Sequence, residues 1–105
     1  MIKVQPISWF YENLPEIQII EDRFKDIIKK NYNLSGFVSL DTPAVERLDV
    51  LTSKWADDNE IYALHRIHAE NLEDVSMGLR FDLTVPLARY IAQYEWELTF
   101  PFKRQ

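Results

Sequence analysis

Apolar side chains recur at helical spacing near the start of the chain, and this repeat predicts a long helix from about Pro15 to Tyr32. The repeat is made by Ile17, Ile20, Phe24, Ile27 and Ile28. Because such positions share one helical face, the pattern predicts an apolar stripe that needs a covering surface. Asn13 suits the N-cap, Lys29 and Lys30 suit the last turn, and Gly36 provides a stop signal.

The rest of the chain predicts shorter elements. In chain order these are a strand over Phe37–Asp41, a helix over Val45–Lys54, a polar turn over Trp55–Asn59, strands over Glu60–Ile67 and Met77–Phe81, a helix from an N-cap at Thr84 to about Tyr94, and an extended segment over Leu98–Lys103. Pro43 cannot donate to a ladder, so the first strand ends there or lies at an edge. The two later strands predict a hairpin, and the mixture predicts an α+β fold with an antiparallel sheet flanked by helices.

Composition narrows the possible functions. The chain has 105 residues, which is enough for one small domain, and 47% of them are apolar, which is enough for a core. Cysteine is absent, so disulfides and thiolate sites are excluded. With only two glycines, Gly36 and Gly78, a glycine-rich phosphate loop is also excluded. No apolar run approaches a membrane span or a secretory signal, so we expect no membrane partner and a cytoplasmic location.

The net charge of −5 is concentrated in the middle of the chain. Between Asp41 and Asp74, nine acidic and three basic side chains give a net charge of −6. A nucleic-acid-binding domain is expected to present clustered Lys and Arg side chains. This chain shows no such basic stripe, so any contact with a nucleic acid must come mostly from elsewhere.

Two groups of residues are of types that bind metals, but their spacing argues against a metal site. His65 and His68 would point to opposite faces of a strand, which prevents shared ligation. Asp57, Asp58 and Glu60 lack the spacing and the central glycine of a calcium loop, so they indicate a solvated turn. We therefore expect no metal site and no catalytic residue among these side chains.

The segment LRFDLTVPLARY, from Leu79 to Tyr90, carries the strongest chemical signal. Asp82 follows a predicted strand just where Thr84 begins a predicted helix. An aspartate at such a position caps the helix in most proteins. Its carboxylate can also accept hydrogen bonds from an ammonium group, to which a threonine hydroxyl adds one more. The residues themselves leave both roles open.

This segment also resembles the histidine-contacting segment of the histidyl-tRNA synthetases, a family of class II aminoacyl-tRNA synthetases. LPEIQIIEDRFKDIIKKNY followed by GFVSLDTPAVERLDVL is similar to the first class II signature, a long helix and a strand that ends in proline, here Pro43. NEIYALHR resembles the next strand, and LTFPFKRQ resembles the start of the second signature. The resemblance extends from about Pro6 to Gln105, so we expect residues 1–105 to be the N-terminal part of a catalytic domain.

The resemblance implies a substrate site and an interface. Asp82, Leu83 and Thr84 match the family's histidine-binding triplet, in which Asp82 would hold the α-ammonium group and Thr84 would assist. The first helix and strand match the homodimer segment, with Phe24, Ile28, Phe37 and Pro43 as interface residues. The family forms histidyl-adenylate from histidine and ATP with Mg²⁺, and then transfers the histidyl group to tRNA(His).

Some features depart from the family pattern. The sequence stops before the arginine that binds the α-phosphate, so we expect these residues alone to bind no cofactor and to be inactive. Trp9 and Trp55 stand where the resemblance leads us to expect glycine. Two alternatives remain: the synthetase-like regulatory subunit of ATP phosphoribosyltransferase, which tends to lose the substrate-contacting residues, and a non-catalytic dimerisation module.

Overall fold

The computed structural model describes residues 1–52, 61–71 and 75–105, and the chain divides into two compact units. Unit 1 comprises Met1–Ser39 and Lys103–Gln105, and unit 2 comprises Leu40–Phe102. The described residues form the elements α1 (Pro15–Leu34), β1 (Val45–Arg47), α2 (Leu48–Leu51), β2 (Ala63–Leu64), β3 (Met77–Leu79) and α3 (Thr84–Tyr94). This combination of helices with a small antiparallel sheet confirms the predicted α+β class.

Unit 1 is dominated by α1, which confirms the long helix. Its C-terminal end is a Schellman motif, in which the Gly36 N–H donates to the Asn33 carbonyl (3.2 Å) and the Phe37 N–H donates to the Tyr32 carbonyl (3.0 Å). Gly36 has a φ of 80°, a conformation that favours glycine, so its role as a stop signal is confirmed. The rings of Tyr32 and Phe37 pack edge to face with centroids 4.9 Å apart and close the motif.

The predicted details of the ends of α1 are wrong. Leu14, not Asn13, occupies the N-cap position, and no side chain caps the helix there. The Asn13 amide instead donates to the Glu21 carboxylate at 2.7 Å, across the first turns. Lys29 and Lys30 do not lie in the last turn, because α1 continues to Leu34 before the glycine stops it.

Unit 2 contains a three-stranded sheet with the order β1–β3–β2, in which both pairs are antiparallel. The pairing of β2 with β3 confirms the predicted hairpin. Behind β3 lies Leu51 of α2, which is fully buried. An ideal Cβ on Gly78 would lie 3.0 Å from Leu51 Cδ1 and 3.1 Å from the Tyr62 carbonyl oxygen, so only glycine lets these groups approach β3.

The predicted helix over Val45–Lys54 is wrong at its start, where β1 precedes the single turn of α2. The cause of this difference is a contact with a distant strand. Glu46 pairs with Gly78 of β3, and ladder pairing of this kind overrides a weak local preference for helix.

Three other predicted segments are shorter or less regular than expected. Within Phe37–Asp41 only Val38 is bridged, in a parallel bridge to Arg104, and the second strand of the hairpin ends at Leu79 rather than at Phe81. Among the described residues of the strand predicted over Glu60–Ile67, ladder pairing is confined to Ala63 and Leu64. The extended segment over Leu98–Lys103 bends at residues 98, 100 and 101, with a cis peptide bond before Pro101. The described residues do not include the predicted turn over Trp55–Asn59, nor Lys54, nor the acidic residues Asp57, Asp58 and Glu60.

Candidate functional site

The candidate site lies in unit 2, at the junction between β3 and α3. Residues 80–83 connect the two elements, and Asp82 is half-buried within this connection. The Val85 N–H donates to Asp82 Oδ1 at 3.3 Å, which places the carboxylate against the first turn of α3. Unpaired N–H groups and the helix dipole stabilise an anion at this end of a helix.

The structure therefore assigns the capping role to Asp82 and not to Thr84. Leu83 occupies the N-cap position, and the prediction of an N-cap at Thr84 is wrong because α3 already begins at that residue. Pro86 lies in the first turn of α3, a position that its fixed φ favours, and it is buried there. Leu83 and Thr84 are both exposed, so the three residues matched to the histidine triplet stand together at one accessible junction.

Capping and ammonium binding do not compete for Asp82. An ionised carboxylate offers about four lone-pair sites on two oxygens, and the bond to Val85 engages one of them. A cation that approached the same group would form charge-assisted hydrogen bonds, which are about twice as strong as neutral ones. One residue can thus start the helix and bind an ammonium group.

Arg80, the first residue of this junction, connects it to the segment that leads into β1. Its Nη1 donates to the Thr42 carbonyl oxygen at 2.7 Å and contacts Thr42 Oγ1 at 3.3 Å. The Arg80 N–H also donates to the Ala44 carbonyl oxygen at 2.9 Å. Thr42 is buried, so one arginine satisfies polar groups that would otherwise be costly to bury.

Arg89, on α3, makes a second connection, to Glu46 of β1. Its Nη2 donates to Glu46 Oε1 at 2.9 Å, and its Nε donates to Glu46 Oε2 at 3.2 Å, a bidentate arrangement. The Glu46 side chain is only 6% exposed and that of Arg89 is 25% exposed. Arg89 Nη1 also donates to the Gln93 side-chain oxygen at 2.8 Å. A planar pair of this kind fixes both distance and orientation between β1 and α3.

A cavity of about 450 Å³ lies beside this ion pair, between the Asp41–Arg47 stretch and α3. Tyr90 and Tyr94 form part of its wall, with ring centroids 4.9 Å apart. Arg47 also lines it and makes an exposed ion pair with Asp49, at 2.6 Å between Nη2 and Oδ2. The hydrogen bond from the Arg47 guanidinium holds the pKa of the Asp49 carboxyl below its usual value.

Three of the four residues matched to the interface are exposed in this chain, and the fourth is half-buried. On α1 the Phe24 side chain is 64% exposed and that of Ile28 is 52% exposed. Phe37 is half-buried against Tyr32 in unit 1, and Pro43 is exposed in unit 2. The apolar stripe predicted on α1 therefore exists, and no residue of that helix is buried.

Trp9 occupies a backbone conformation that favours glycine. It has a φ of 73° and lies in a turn closed by the Phe10 N–H, which donates to the Ile7 carbonyl oxygen at 3.1 Å. A positive φ at this position of a β-turn favours Gly or Asn. This geometry explains why glycine is expected there from the family pattern, whereas Trp55 lies outside the described residues.

Sequence reasoning missed Thr42, Glu46, Arg80 and Arg89 as parts of the site. Glu46 and Arg89 each follow apolar neighbours, in AVER and PLAR, and an isolated charge in such surroundings is a signal for a buried pair. Their partnership across the sequence could not be read from either segment alone.

The described ranges hold neither a cluster of metal ligands nor a membrane-spanning helix. No group of three or more His, Asp or Glu side chains there could hold a metal ion. His65 Nδ1 lies 2.8 Å from the Arg66 carbonyl oxygen, to which it donates when protonated. In the part of the chain that the structure describes, no helix has the length and apolar character needed to cross a bilayer.

No family model matches the chain. It is 48% identical over 106 residues to the histidine–tRNA ligase of Thermobifida fusca, covering 99% of this chain and 24% of that protein. The histidine–tRNA ligase of Clostridium tetani is 40% identical over 104 residues, covering 99% and 23%. This chain thus spans about a quarter of the length of the curated relatives it matches.

Solved structures give the same likeness. The crystal structure of histidyl-tRNA synthetase from Nostoc sp. PCC 7120 matches with a TM-score of 0.86 and 43% identity, covering 99% of this chain and 22% of that one. An ATP phosphoribosyltransferase regulatory subunit/histidyl-tRNA synthetase from Bacillus halodurans matches with a TM-score of 0.77 at 20% identity, covering 97% and 26%. The second likeness concerns the fold alone.

Proposed function

We propose that this chain supplies the part of a histidine–tRNA ligase that binds the ammonium group of the amino acid. It is similar along its whole length to a stretch that makes up about a quarter of each of these ligases. The enzyme joins histidine to ATP as histidyl-adenylate with release of pyrophosphate, and then transfers the histidyl group to tRNA(His). The observation that supports this proposal is the position of the Asp82 carboxylate, which is hydrogen-bonded to the first turn of α3. Arg80 precedes it in the sequence and binds Thr42, and Arg89 follows it and binds Glu46.

In this proposal Asp82, Leu83 and Thr84 bind histidine. The Asp82 carboxylate accepts hydrogen bonds from the α-ammonium group, and the exposed Thr84 hydroxyl adds another acceptor. Leu83 presents its backbone and an exposed apolar side chain beside them. These residues bind and orient the amino acid, so that its carboxylate can reach the α-phosphate of ATP, and none of them is a catalytic residue.

ATP and Mg²⁺ are the other requirements that we propose for the adenylation step. When bound, Mg²⁺ would supply charge neutralisation at the phosphates. The described residues offer no cluster of three acidic or imidazole ligands, so they do not fit a metal site and no step is assigned to a metal here. We propose that residues 1–105 belong to the N-terminal part of the catalytic domain and that the phosphate-binding arginines lie in other segments. Because tRNA charging serves translation, we also propose a cytoplasmic location.

Pyrophosphate exchange with the complete gene product tests the proposal. We expect exchange that depends on histidine, and we expect Asp82→Ala to raise the KM for histidine far more than the KM for ATP. The loss of one charge-assisted bond, about 1.5–3 kcal/mol, corresponds to a rise of about 10- to 150-fold. Asp49→Asn is the matched control, because it removes an exposed carboxylate elsewhere in unit 2. Exchange that does not depend on the amino acid would contradict the proposal.

The same assay separates the alternatives. A regulatory subunit of ATP phosphoribosyltransferase would give no histidine-dependent exchange, although it could still bind histidine. A dimerisation module would give neither exchange nor binding. The intact Asp82–Leu83–Thr84 triplet favours the ligase over both alternatives.

We further propose a homodimer that uses the apolar face of α1. A face on which Phe24 and Ile28 stay more than half exposed is costly to leave in water. Phe37, beyond the Schellman motif, and Pro43 complete the set of interface residues that we propose. A second copy of the chain would cover this face through a two-fold interface, in which the same residues meet on both sides.

A further inference from the structure

We propose that four residues around the junction, Thr42, Glu46, Arg80 and Arg89, act together as positioning residues for the Asp82 carboxylate. This proposal rests on the proposed function and extends it to groups that do not contact the substrate. We call this set the arginine clamp. Its two arginines lie on either side of Asp82 in the sequence, and both reach the stretch from Thr42 to Glu46.

The contacts form a closed circuit that includes Asp82. Asp82 Oδ1 accepts from the Val85 N–H of α3, so the carboxylate follows the position of that helix. Arg89 of the same helix binds Glu46 of β1. Glu46 in turn pairs with Gly78 of β3, the strand that leads back to Asp82. A displacement of α3 relative to the sheet would therefore move the carboxylate directly.

Arg80 holds the other end of the junction. Its guanidinium binds both oxygens of the buried Thr42, and its backbone N–H donates to Ala44. The few residues between Arg80 and α3 are thus fixed at both ends, at the strand by Arg80 and at the helix by Arg89. A short connection fixed at both ends leaves few conformations for the half-buried Asp82 within it.

Glu46 has the properties of a positioning residue and not of a substrate ligand. Its side chain is almost fully buried, and each carboxylate oxygen already accepts a hydrogen bond from Arg89. Buried ion pairs contribute little net stability, because desolvation offsets their attraction. The bidentate geometry instead gives directional precision, which a binding site needs at the level of about 0.5 Å.

The test is a double-mutant cycle in the complete gene product, with pyrophosphate exchange as the readout. Arg89→Lys keeps the positive charge and removes the bidentate fork, and we expect it to raise the KM for histidine about tenfold or more. We expect the KM for ATP to change less than about twofold and kcat at saturating histidine to be largely kept. In the background of Asp82→Ala, the same substitution should leave the KM for histidine nearly unchanged, because the group that it positions is gone.

A milder variant keeps the proposal testable if Arg89→Lys does not fold. Thr42→Val removes only the hydroxyl contact with Arg80 and keeps the carbonyl contact and the side-chain shape. We expect the same sign, a rise in the KM for histidine of a few-fold, again abolished in the Asp82→Ala background. Thermal unfolding of each variant confirms that the fold is retained.

Three outcomes would overturn the arginine clamp while leaving the proposed function standing. These are an unchanged KM for histidine in a folded Arg89→Lys protein, equal rises for histidine and ATP, and effects that simply add to those of Asp82→Ala. The proposed function fails in a different way, through wild-type exchange that does not depend on histidine or through an Asp82→Ala protein with normal kinetics. In that case the clamp proposal fails with it.

Discussion

Unit 1 and unit 2 are stabilised by different kinds of contact. In unit 1 a long helix forms from its own periodicity and end signals, and its apolar face stays exposed. In unit 2 the elements are short, and pairing, a buried leucine and buried ion-pair contacts between distant segments hold them together. The comparison shows that local patterns can specify a long helix with an exposed apolar face, whereas the junction around Asp82 depends on contacts between distant residues that no local pattern displays.

The largest expected effect concerns the exposed face of unit 1. Replacing both Phe24 and Ile28 by Glu should weaken self-association by at least about a hundredfold, because each large apolar side chain contributes about 1.5–3 kcal/mol when buried. Light scattering over micromolar concentrations measures this change. Lys30→Glu is the matched control, since it changes the net charge by the same amount on the same helix and removes no large apolar side chain.

If the wild-type protein is a monomer at all these concentrations, α1 is not a dimer surface. Equal dissociation in Lys30→Glu and in the double variant would show that charge, and not the loss of apolar area, caused the effect. Either result would contradict the proposal that the apolar face of unit 1 binds a second copy of the chain.

The next effect tests the packing of unit 2. Gly78→Val should destabilise the protein by about 1–3 kcal/mol, because its branched side chain would meet Leu51 and the Tyr62 carbonyl at the back of β3. Urea unfolding followed by circular dichroism measures the change in the free energy of unfolding. Gly36→Ala is the comparison in unit 1, where no atom lies within 4 Å of the added Cβ and only the positive φ resists the side chain.

For Gly36→Ala we expect a smaller loss of about 1 kcal/mol, the approximate cost of a left-handed conformation for an L-residue. If Gly78→Val cost less than Gly36→Ala, the close packing of unit 2 around β3 would be contradicted.

Trp9 gives a prediction of the opposite sign. Trp9→Gly should leave the free energy of unfolding unchanged or raise it by up to about 1 kcal/mol, because relief of the positive φ outweighs the greater freedom of glycine in the unfolded chain. Thermal unfolding of the two proteins at one concentration measures it. Trp9→Ala keeps the unfavourable φ, so it should not give the same gain, and a clear loss of stability in Trp9→Gly would mean that the indole makes a contact of its own.

The smallest effect is a dependence on pH at the surface of unit 2. Arg47 lowers the pKa of Asp49, so this carboxylate adds stability above its unfolded pKa of about 3.9 and loses that contribution as the pH falls through its lower folded value. Asp49→Asn should therefore be slightly less stable than the wild type at pH 7, and the difference should disappear in strong acid. Urea unfolding at several pH values measures it, and a difference that grew towards low pH would contradict the assigned sign.

Much of unit 1 could be predicted from the sequence, since the spacing of Ile17, Ile20, Phe24 and Ile27 and the stop at Gly36 are local signals. The errors there concern the ends, where Asn13 bonds across the first turns instead of capping. In unit 2 the hairpin was predictable by alternation, but β1 was not, because Glu46 is placed by pairing with Gly78 and by Arg89.

The candidate site also has one part that local patterns reveal and one part that they do not. The triplet Asp82–Leu83–Thr84 could be found from the strand-to-helix pattern and from a family resemblance. Its support could not be found, because the bonds from Arg80 to Thr42 and from Arg89 to Glu46 join residues far apart in the sequence. The local prediction also allowed for capping by Asp82, but it placed the N-cap at Thr84, whereas Asp82 accepts the hydrogen bond from the first turn of α3.

The most direct test of the account is the KM for histidine and for ATP in pyrophosphate exchange, compared between the wild-type complete gene product and Asp82→Asn. Asparagine keeps the size and the capping oxygen of the side chain and removes the negative charge, so the comparison isolates the pairing with an ammonium group. The account predicts that the KM for histidine rises about tenfold or more while the KM for ATP stays within about twofold. Equal changes in both constants, or no change in either, would contradict it.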